Sequence, residues 1–407
     1  MLALGGLARW LPRSHHRHGG GVCLVTNTLA VGGAQRQILL WLGHRRDTRP
    51  VQVVLLTGGG EWQKEVERLG IPLVVMEDEL ARSRAGRVLL WAFPRAAYCL
   101  ALAGLFRRAR PQVVWSWLFL ARVVAAPAAR LAGVPRVLSG VRNLSNWKTW
   151  PENRHWWYRW ADRHAAALSD LVLVNAEALR EDYARWAGCP LRKIRVVVNG
   201  VPVPPAGGDP GGRRAERQAA SLPVVLAVGR LAIEKGHEVL LQASAQLWRA
   251  GIPHQLTLVG AGPQETVLRG LAERLGIAGH VVFHGERLDV TQLYRGCDVF
   301  ALSSRIEGMP NALMEAQARG LPAVTTAAGG ATEVVVHGET GLVVPLADVK
   351  AFAGALARLL QDPQLRFRMG EAAARRMREV FSVDRMVAGV EEVLAELGIE
   401  HHGDGLR

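Results

Sequence analysis

The sequence has 407 residues, more than a single hydrophobic core usually holds, so two domains are expected. Hydrophobic residues make up 49% of the chain and charged residues 21%, which excludes an intrinsically disordered protein. The formal net charge of +14 calls for an anionic partner, which could be a nucleic acid, an anionic membrane surface or a polyanionic substrate.

The positive charge comes mostly from scattered arginines, without a helix-turn-helix, zinc-finger or RNA-binding aromatic motif. We therefore expect no nucleic-acid partner and favour an anionic membrane surface. No apolar run approaches the roughly 20 residues of a membrane span, and the N-terminus lacks the basic start of a signal peptide. Because the four cysteines show no metal or disulfide spacing, a cytoplasmic protein is expected, with peripheral membrane association as one option.

The first domain is predicted to span residues 21–201, after a flexible leader over 1–20. A buried strand at 22–26 runs into a Gly32-Gly33 turn and then an apolar-periodic helix. Such a glycine turn lets backbone amides approach a phosphate closely, although many strand-to-helix turns contain glycine for steric reasons alone. The strands predicted next are 51–57, 73–75, 111–120, 136–139, 170–174 and 195–201, with helices at about 61–70 and 88–108.

Six aromatic residues are concentrated between positions 147 and 160, mixed with arginines. One interpretation is a helix that packs Trp156 and Trp160 on the sheet, because these residues lie four apart. The other is that Trp157 and Tyr158 face the headgroup layer of a membrane, or a polyprenyl or glycan acceptor. The sequence leaves both interpretations open.

A Pro- and Gly-rich span at 202–220 predicts a linker to a second domain over 221–379. The first strand of that domain, 224–228, delivers Arg230 to its carboxyl end, where parallel α/β sheets bind ligands. Lys235 follows just before a predicted helix at 237–249. Two cations on either side of a tight loop can clamp a diphosphate, although either one alone would be an ordinary solvated residue.

A second group of candidate residues follows the predicted strand 298–304. Glu307 lies in the loop, and Glu315 is expected about two turns into the helix that Pro310 begins. The free N–H groups of Asn311 and Ala312 at the helix start can bind a phosphate, and the two carboxylates can bind sugar or ribose hydroxyls. A nucleotide-sugar has all of these groups, although a Glu pair at this spacing is by itself common on protein surfaces.

These motifs together resemble the donor-binding signature of the retaining family 4 glycosyltransferases. The matching motifs are Gly229-Arg230-x4-Lys235-Gly236, Glu307-x7-Glu315, Gly320-Leu321-Pro322 and Gly329-Gly330-x2-Glu333. The resemblance covers nearly the whole chain and implies an α/β protein of the GT-B architecture. That architecture has two facing Rossmann-like domains with the donor site in the cleft between them, and a last helix, here about 380–398, that returns to the first domain.

The resemblance also implies roles for individual residues. Arg230, Lys235 and Glu307 would act in catalysis, whereas Gly33, Asn311, Ala312 and Glu315 would bind the donor. The implied reaction transfers a sugar, with retention, from a nucleotide-diphosphate-sugar to a glycan or lipid-linked acceptor in cell-surface polysaccharide or glycolipid assembly. The chain lacks an Asp-x-Asp pair in a suitable loop, so we expect no metal and no cofactor, and charge neutralisation by Arg230 and Lys235.

The chain departs from the family after the fourth predicted strand, where many relatives have a histidine close to the reacting sugar. The positions that align are Trp115, Trp117 and Leu120, and none of these side chains can exchange a proton. Two alternatives therefore remain. A non-hydrolysing nucleotide-sugar epimerase would need an acid/base set that we do not find, and a non-catalytic nucleotide- or glycan-binding protein would not need the intact donor signature.

Overall fold

The computed structural model describes residues 20–30, 32–145, 156–204, 222–287 and 289–399. The chain divides into two compact units. The N-unit comprises the chain up to Val198 together with the chain from Met386 onwards, and the C-unit comprises Asn199–Arg385. The predicted leader and most of the predicted linker lie outside the described residues. No helix in the described part of the chain is long and apolar enough to cross a membrane.

The N-unit is built on a parallel sheet. Its strands are β1 (Val22–Thr26), β2 (Val51–Leu55), β3 (Leu73–Val75), β4 (Val113–Trp117), β5 (Arg136–Val141), β6 (Leu171–Val174) and β7 (Ile194–Val196). They pair in the order β3-β2-β1-β4-β5-β6-β7. Every residue of β1, β4 and β6 is buried, as expected for parallel strands that helices cover on both faces.

The helices of the N-unit connect these strands, except for the last, which comes from the C-terminal end of the chain. They are α1 (Gly33–His44), α2 (Gln63–Arg68), α3 (Met76–Ala81), α4 (Arg84–Ala92), α5 (Pro94–Ala109), α6 (Phe119–Ala132), α7 (Trp156–Leu168), α8 (Glu177–Ala187) and, after the C-unit, Val383–Glu396. That last helix is held on the N-unit, where Arg195 forms a bidentate ion pair with Glu396 and Arg136 Nε donates to the Leu397 carbonyl at 2.9 Å.

One expectation for the N-unit was wrong. The single helix predicted over 88–108 is two helices, because Pro94 forces Phe93 out of helical geometry and α5 begins anew with that proline. Of the two interpretations left open for the aromatic segment, the packing of Trp160 on the sheet is not observed, because this residue is 57% exposed. Trp157 and Tyr158 are instead half-buried against Phe119, with ring centroids 5.5 and 4.9 Å away.

The C-unit has a second parallel sheet. Its strands are β8 (Val224–Val228), β9 (Gln255–Val259), β10 (Val281–Phe283), β11 (Val299–Leu302), β12 (Ala323–Thr326) and β13 (Gly341–Val344). They pair in the order β10-β9-β8-β11-β12-β13, so the strand order reverses between β8 and β11. The N-unit reverses in the same way between β1 and β4, and both units are therefore Rossmann-like, which confirms the predicted fold class.

The helices of the C-unit cover both faces of that sheet. They are α9 (His237–Arg249), α10 (Glu265–Arg274), α11 (Thr291–Arg295), α12 (Asn311–Ala318), α13 (Ala331–Val334), α14 (Val349–Gln361) and α15 (Pro363–Val380), which makes the C-terminal helix α16. The sequence reading missed α15. A signal was present, because Asp362 caps its first turn by accepting from Leu365 N at 2.8 Å and Pro363 opens the helix.

A buried ion pair fixes α6 to α7 in the N-unit. The guanidinium of Arg122 pairs with the carboxylate of Asp162, and both side chains are at most 3% exposed. Arg122 Nη1 also donates to the Gly140 carbonyl at 2.9 Å, and Trp186 Nε1 donates to Asp162 at 2.7 Å. Both terminal nitrogens of Arg122 and both carboxylate oxygens of Asp162 thus have hydrogen-bond partners, which is the condition under which a buried pair is tolerated.

We expect Arg122→Met to lower the free energy of unfolding by about 3 kcal/mol or more, because it leaves the Asp162 charge buried without a cation. Urea unfolding followed by near-ultraviolet circular dichroism measures the loss. Arg185→Met is the control, since Arg185 pairs with Glu181 on the surface at 3.3 Å and should contribute less than about 1 kcal/mol. The account fails if both variants unfold alike, or if Arg122→Met/Asp162→Asn recovers no stability.

Candidate functional site

The topology of the C-unit points to one place for a ligand. Helices that follow strands on opposite sides of a strand-order reversal lie on opposite faces of the sheet, which opens a crevice at the carboxyl ends of those strands. Here the strands are β8 and β11. The loops that leave them are 229–236 and 303–310, and these contain Arg230, Lys235 and Glu307.

The two loops are bonded to each other through their backbones. Arg305 N donates to the Glu234 carbonyl at 2.8 Å, and Ser303 Oγ donates to the Lys235 carbonyl at 3.2 Å. Gly236 has a φ of 61°, and a Cβ at this position would lie 2.3 Å from the Ser303 carbonyl oxygen. Only glycine therefore allows the loops to approach this closely.

The loop after β9 joins the same group. Leu231 N donates to the Ala261 carbonyl at 2.9 Å, and Gly260 N donates to the Gly285 carbonyl at 2.8 Å. Gly260 has a φ of 139°, and an added Cβ would lie 2.1 Å from the Gly229 carbonyl oxygen. The carboxyl ends of β8, β9 and β11 thus support a set of loops whose relative positions are fixed by backbone hydrogen bonds.

Lys235 and Glu307 meet in this group of loops. The ammonium nitrogen of Lys235 lies 2.6 Å from Glu307 Oε1, and Ser304 Oγ donates to the same oxygen at 2.6 Å. The Glu307 side chain is 8% exposed and that of Lys235 is 24% exposed. The sequence placed both residues in the site, and the structure joins them in an ion pair that orients the carboxylate.

Arg230 lies on the exposed side of the same loop. Its guanidinium forms an ion pair with Glu234, and its side chain is 67% exposed. An exposed pair of this kind contributes little net stability, because water and salt screen it. Arg230 can therefore exchange Glu234 for a ligand phosphate at small cost.

The N-terminus of α12 lies at the end of the β11 loop. Asn311 is its first residue and accepts from Asn199 Nδ2 at 2.8 Å. The first turn contains no acidic residue and its N-cap, Pro310, provides no side-chain cap, so its amides, including that of Ala312, favour an anion. Glu315 lies about one turn into α12 rather than two; its carboxylate is buried and accepts from Tyr294 OH at 3.1 Å.

Sequence reasoning missed three residues of this site. Ser304 and Tyr294, which hold the carboxylates of Glu307 and Glu315, belong to no motif, and only the fold brings them there. His237 follows the Lys235-Gly236 pair directly and is the first residue of α9, where its side chain is buried. Its position immediately after the loop motif was the available signal.

In the N-unit, the two tryptophans that align with the histidine of many relatives are not at an open surface. Trp115 and Trp117 are buried, and the rings of Trp41 and Trp115 meet edge to face at 5.0 Å. The guanidinium of Arg142, just beyond β5, lies 3.8 Å from the centroid of Trp117. Burial lowers the pKa of Arg142 to about 9, so it still carries its charge at neutral pH. Sequence reasoning missed Arg142 as well.

The same carboxyl edge of the N-unit sheet contains a strained backbone. Leu118 joins β4 to α6 with a φ of 69°, a conformation that costs a leucine about 1–3 kcal/mol. Asn27, in the loop after β1, compensates by accepting from Ala121 N at 2.9 Å, which caps α6. Gly33, the residue expected to contact the donor, is the first residue of α1 after the same loop.

Within the described residues, no three His, Cys, Asp or Glu side chains are grouped so as to hold a metal ion. The candidate site of the C-unit therefore consists of cations, carboxylates and backbone amides. This combination suits a ligand that has both phosphate and hydroxyl groups.

Comparison with known proteins agrees with this chemistry. Residues 213–376 match the family described as glycosyl transferases group 1, and residues 31–203 match glycosyltransferase family 4. The chain is 31% identical, over 274 residues, to a GDP-mannose-dependent alpha-(1-6)-phosphatidylinositol monomannoside mannosyltransferase of Mycolicibacterium smegmatis. This alignment covers 64% of this chain and 70% of that protein. The chain is also 26% identical, over 373 residues, to the lipopolysaccharide core biosynthesis glycosyltransferase LpsE of Rhizobium meliloti. That alignment covers 89% of this chain and 96% of LpsE.

Among solved structures, HepE of Anabaena in complex with UDP-glucose aligns with a TM-score of 0.76 at 23% identity, over 93% of this chain and all of that one. The fold is thus that of the GT-B glycosyltransferases. The chain belongs to the glycosyltransferases of group 1 and family 4, which confirms the family that its motifs resemble.

The pH dependence of the free energy of unfolding tests whether the His237 ring is buried beside the loop 229–236. Burial lowers the pKa of its ring to about 4. The charge of Lys235 lowers this pKa further, whereas a hydrogen bond with the backbone of Arg230 raises it. The unfolded chain binds this proton near pH 6.5, so the stabilisation from a neutral buried ring is complete above that pH and is lost toward pH 4.

Between about pH 7.5 and about pH 5 we therefore expect the free energy of unfolding to fall by about 2 kcal/mol through this group. Urea unfolding of the parent and of His237→Gln at the two pH values measures the contribution. The variant should show a correspondingly shallower pH dependence. Identical pH dependence in both proteins would mean that His237 titrates normally in the fold.

Proposed function

We propose that this glycosyltransferase transfers a sugar, with retention, from a nucleoside-diphosphate sugar to a glycan or lipid-linked acceptor. The observation that carries the proposal is the Lys235–Glu307 pair, whose loop leads into the N-terminus of α12 at the strand-order reversal of the C-unit. Anion-binding and hydroxyl-binding groups converge there, as a nucleotide-sugar requires. The UDP-glucose in the HepE complex and the GDP-mannose in the mycobacterial relative's name are donors of this class.

The diphosphate would be bound by Arg230, Lys235 and the first amides of α12. Breaking the bond between the anomeric carbon and the phosphate oxygen leaves a nucleoside diphosphate with one more negative charge. Groups fixed in place before the reaction stabilise that charge without reorganisation, and the backbone bonds between the loops fix Lys235 in this way. Arg230 would give up Glu234 for the phosphate.

The carboxylates would bind hydroxyl groups of the donor. Glu307 accepts from Lys235 and Ser304 through Oε1, and its second carboxylate oxygen would accept from a sugar hydroxyl. We assign the ribose hydroxyls to Glu315, whose carboxylate Tyr294 positions. A carboxylate accepts two hydroxyl hydrogen bonds readily, so either residue also discriminates against a deoxygenated donor.

The proposed transfer step needs no protein side chain to act as a base. The acceptor oxygen forms a bond to the anomeric carbon on the face from which the diphosphate leaves, so the configuration is retained. The pair of electrons from the broken bond stays on the phosphate oxygen, and that oxygen takes the proton of the acceptor hydroxyl. This route accounts for an active enzyme with tryptophans at the positions where many relatives have a histidine. Arg142 would supply positive charge at that edge of the N-unit sheet.

The acceptor is proposed to be a glycan attached to a lipid, in cell-surface polysaccharide or glycolipid assembly on the cytoplasmic face of a membrane. Two relatives support this class. The mycobacterial enzyme is named for a phosphatidylinositol monomannoside, and the rhizobial one for the lipopolysaccharide core. The high positive charge of this chain suits an anionic membrane surface, and peripheral association would bring the enzyme to its acceptor.

We expect Arg230→Ala and Lys235→Ala each to lower turnover by about 30-fold or more, since contacts to the leaving phosphate strengthen as the bond breaks and contribute at least ~2 kcal/mol to the barrier. Release of nucleoside diphosphate from a panel of nucleotide-sugars measures turnover. The assay is run in excess EDTA, because the two cations are proposed to replace a metal.

Lys350→Ala is the matched control, because Lys350 is exposed on α14 of the same unit. It should keep parental activity. Near-parental turnover in both site variants would exclude the diphosphate clamp. Loss of parental activity in EDTA that added Mg²⁺ or Mn²⁺ restores would show that a metal neutralises the leaving group.

A further inference from the structure

Helix α4 has two faces of different character. Leu89 and Leu90 pack against the core of the N-unit, and Gly86 is buried on the same side. The opposite face presents Arg84, Arg87, Val88 and Trp91, which the spacing of three and four residues brings together. Ordinary surface helices place polar residues on that face, so exposed apolar residues there need a reason.

The exposure of these apolar side chains is unusually large. Trp91 is 87% exposed, Phe93 in the break after α4 is 66% exposed, and Val88 is 59% exposed. Leu100, on α5, is 40% exposed. Single exposed apolar residues are normal, whereas a tryptophan, a phenylalanine and a valine within six residues form a contiguous patch of the kind that marks an interaction site.

Arginines are frequent in the sequence around this patch, and the last acidic residue before it is Glu79. From residue 80 to residue 151 the sequence has eleven Arg and one Lys but no Asp or Glu. Arg84 and Arg87 are exposed on the outer face of α4, beside Val88 and Trp91, and Arg95 is exposed two residues beyond Phe93. The nearest acid that precedes them, Glu79, already pairs with Arg82. The patch therefore combines exposed apolar side chains with exposed arginines.

We infer that this corner, made of Arg84, Arg87, Val88, Trp91 and Phe93, docks the enzyme on an anionic bilayer surface. The aromatic rings would enter the headgroup layer, where Trp is favoured because it is apolar with one polar edge. The arginines would bind lipid phosphates at the same depth. The inference rests on the proposed function in one respect, because docking on a membrane would bring the enzyme to a lipid-linked acceptor.

The corner takes over the role that the sequence suggested for residues 147–163. Of that segment, 146–155 lie outside the described residues. The ring of Trp157 lies against Phe119 and under the guanidinium of Arg95, which is 4.1 Å from its centroid. Arg159 donates to the Trp186 carbonyl at 3.1 Å. These side chains are therefore engaged within the N-unit, whereas Trp91 is 87% exposed.

The test is flotation of the full chain with vesicles of phosphatidylcholine, alone and mixed in equal parts with phosphatidylglycerol. The parent should bind the mixed vesicles only, and the binding should weaken as salt rises. Trp91→Ser/Phe93→Ser and, separately, Arg84→Gln/Arg87→Gln should each lower the partition coefficient by about tenfold or more, because one loses apolar burial and the other lipid attraction.

Trp160→Ser is the matched control, because Trp160 is an exposed aromatic residue of the same unit that lies outside the corner. It should bind as the parent does. Circular dichroism melting checks that each variant folds, which is expected because the substituted side chains are exposed. The inference is wrong if the corner variants bind like the parent, if Trp160→Ser loses as much, or if gel filtration shows that the corner instead joins two copies of the chain.

Failure of this inference and failure of the proposed function give different results. Release of nucleoside diphosphate without vesicles should be unchanged in the corner variants, because none of the substituted residues belongs to the candidate site. A parent that binds anionic vesicles but processes no nucleotide-sugar would refute the function and keep the docking. A parent that turns over donor but ignores vesicles would refute the docking alone.

Discussion

The reversal of strand order between β8 and β11 is the constraint on which the site of the C-unit depends. In a parallel sheet every connection crosses over through a helix, and right-handed crossovers in opposite directions put those helices on opposite faces. The carboxyl ends of the two strands are then left uncovered, and the loops that leave them, 229–236 and 303–310, become the place where a ligand can reach backbone amides and charged side chains.

The Lys235–Glu307 pair links the stability of that site to its chemistry. A carboxylate as buried as that of Glu307 would be costly to keep ionised without a nearby cation and a hydrogen-bond donor, and Lys235 and Ser304 provide both. Removal of Lys235 would therefore disturb Glu307 as well as the proposed phosphate contact. By contrast, Arg230 is exposed, and its loss should affect only the ligand.

Local patterns predicted many of the strands and helices, because a buried parallel strand, a Gly turn and a capped helix each depend on neighbouring residues. The fold class and the family came from the resemblance of the motifs to the family 4 glycosyltransferases. Helix α9 was predicted at 237–249, where the structure has it. The contacts of Tyr294 with Glu315 and of Arg142 with Trp117 were not predictable, because each joins residues far apart in sequence. The exposure of Trp160 could not be decided from the sequence, because helical spacing shows which residues share a face, but not which face meets the sheet. The roles of the site residues stay predictions.

Titration calorimetry with nucleoside diphosphates tests the central claim, that these loops bind the donor, most directly. We expect at least one common diphosphate to bind the parent at one site per chain, with an affinity that decreases as salt rises. Lys235→Met should bind it at least tenfold more weakly, and Lys350→Met should bind it as the parent does. Absence of binding for every diphosphate, or equal binding by Lys235→Met, would contradict the account.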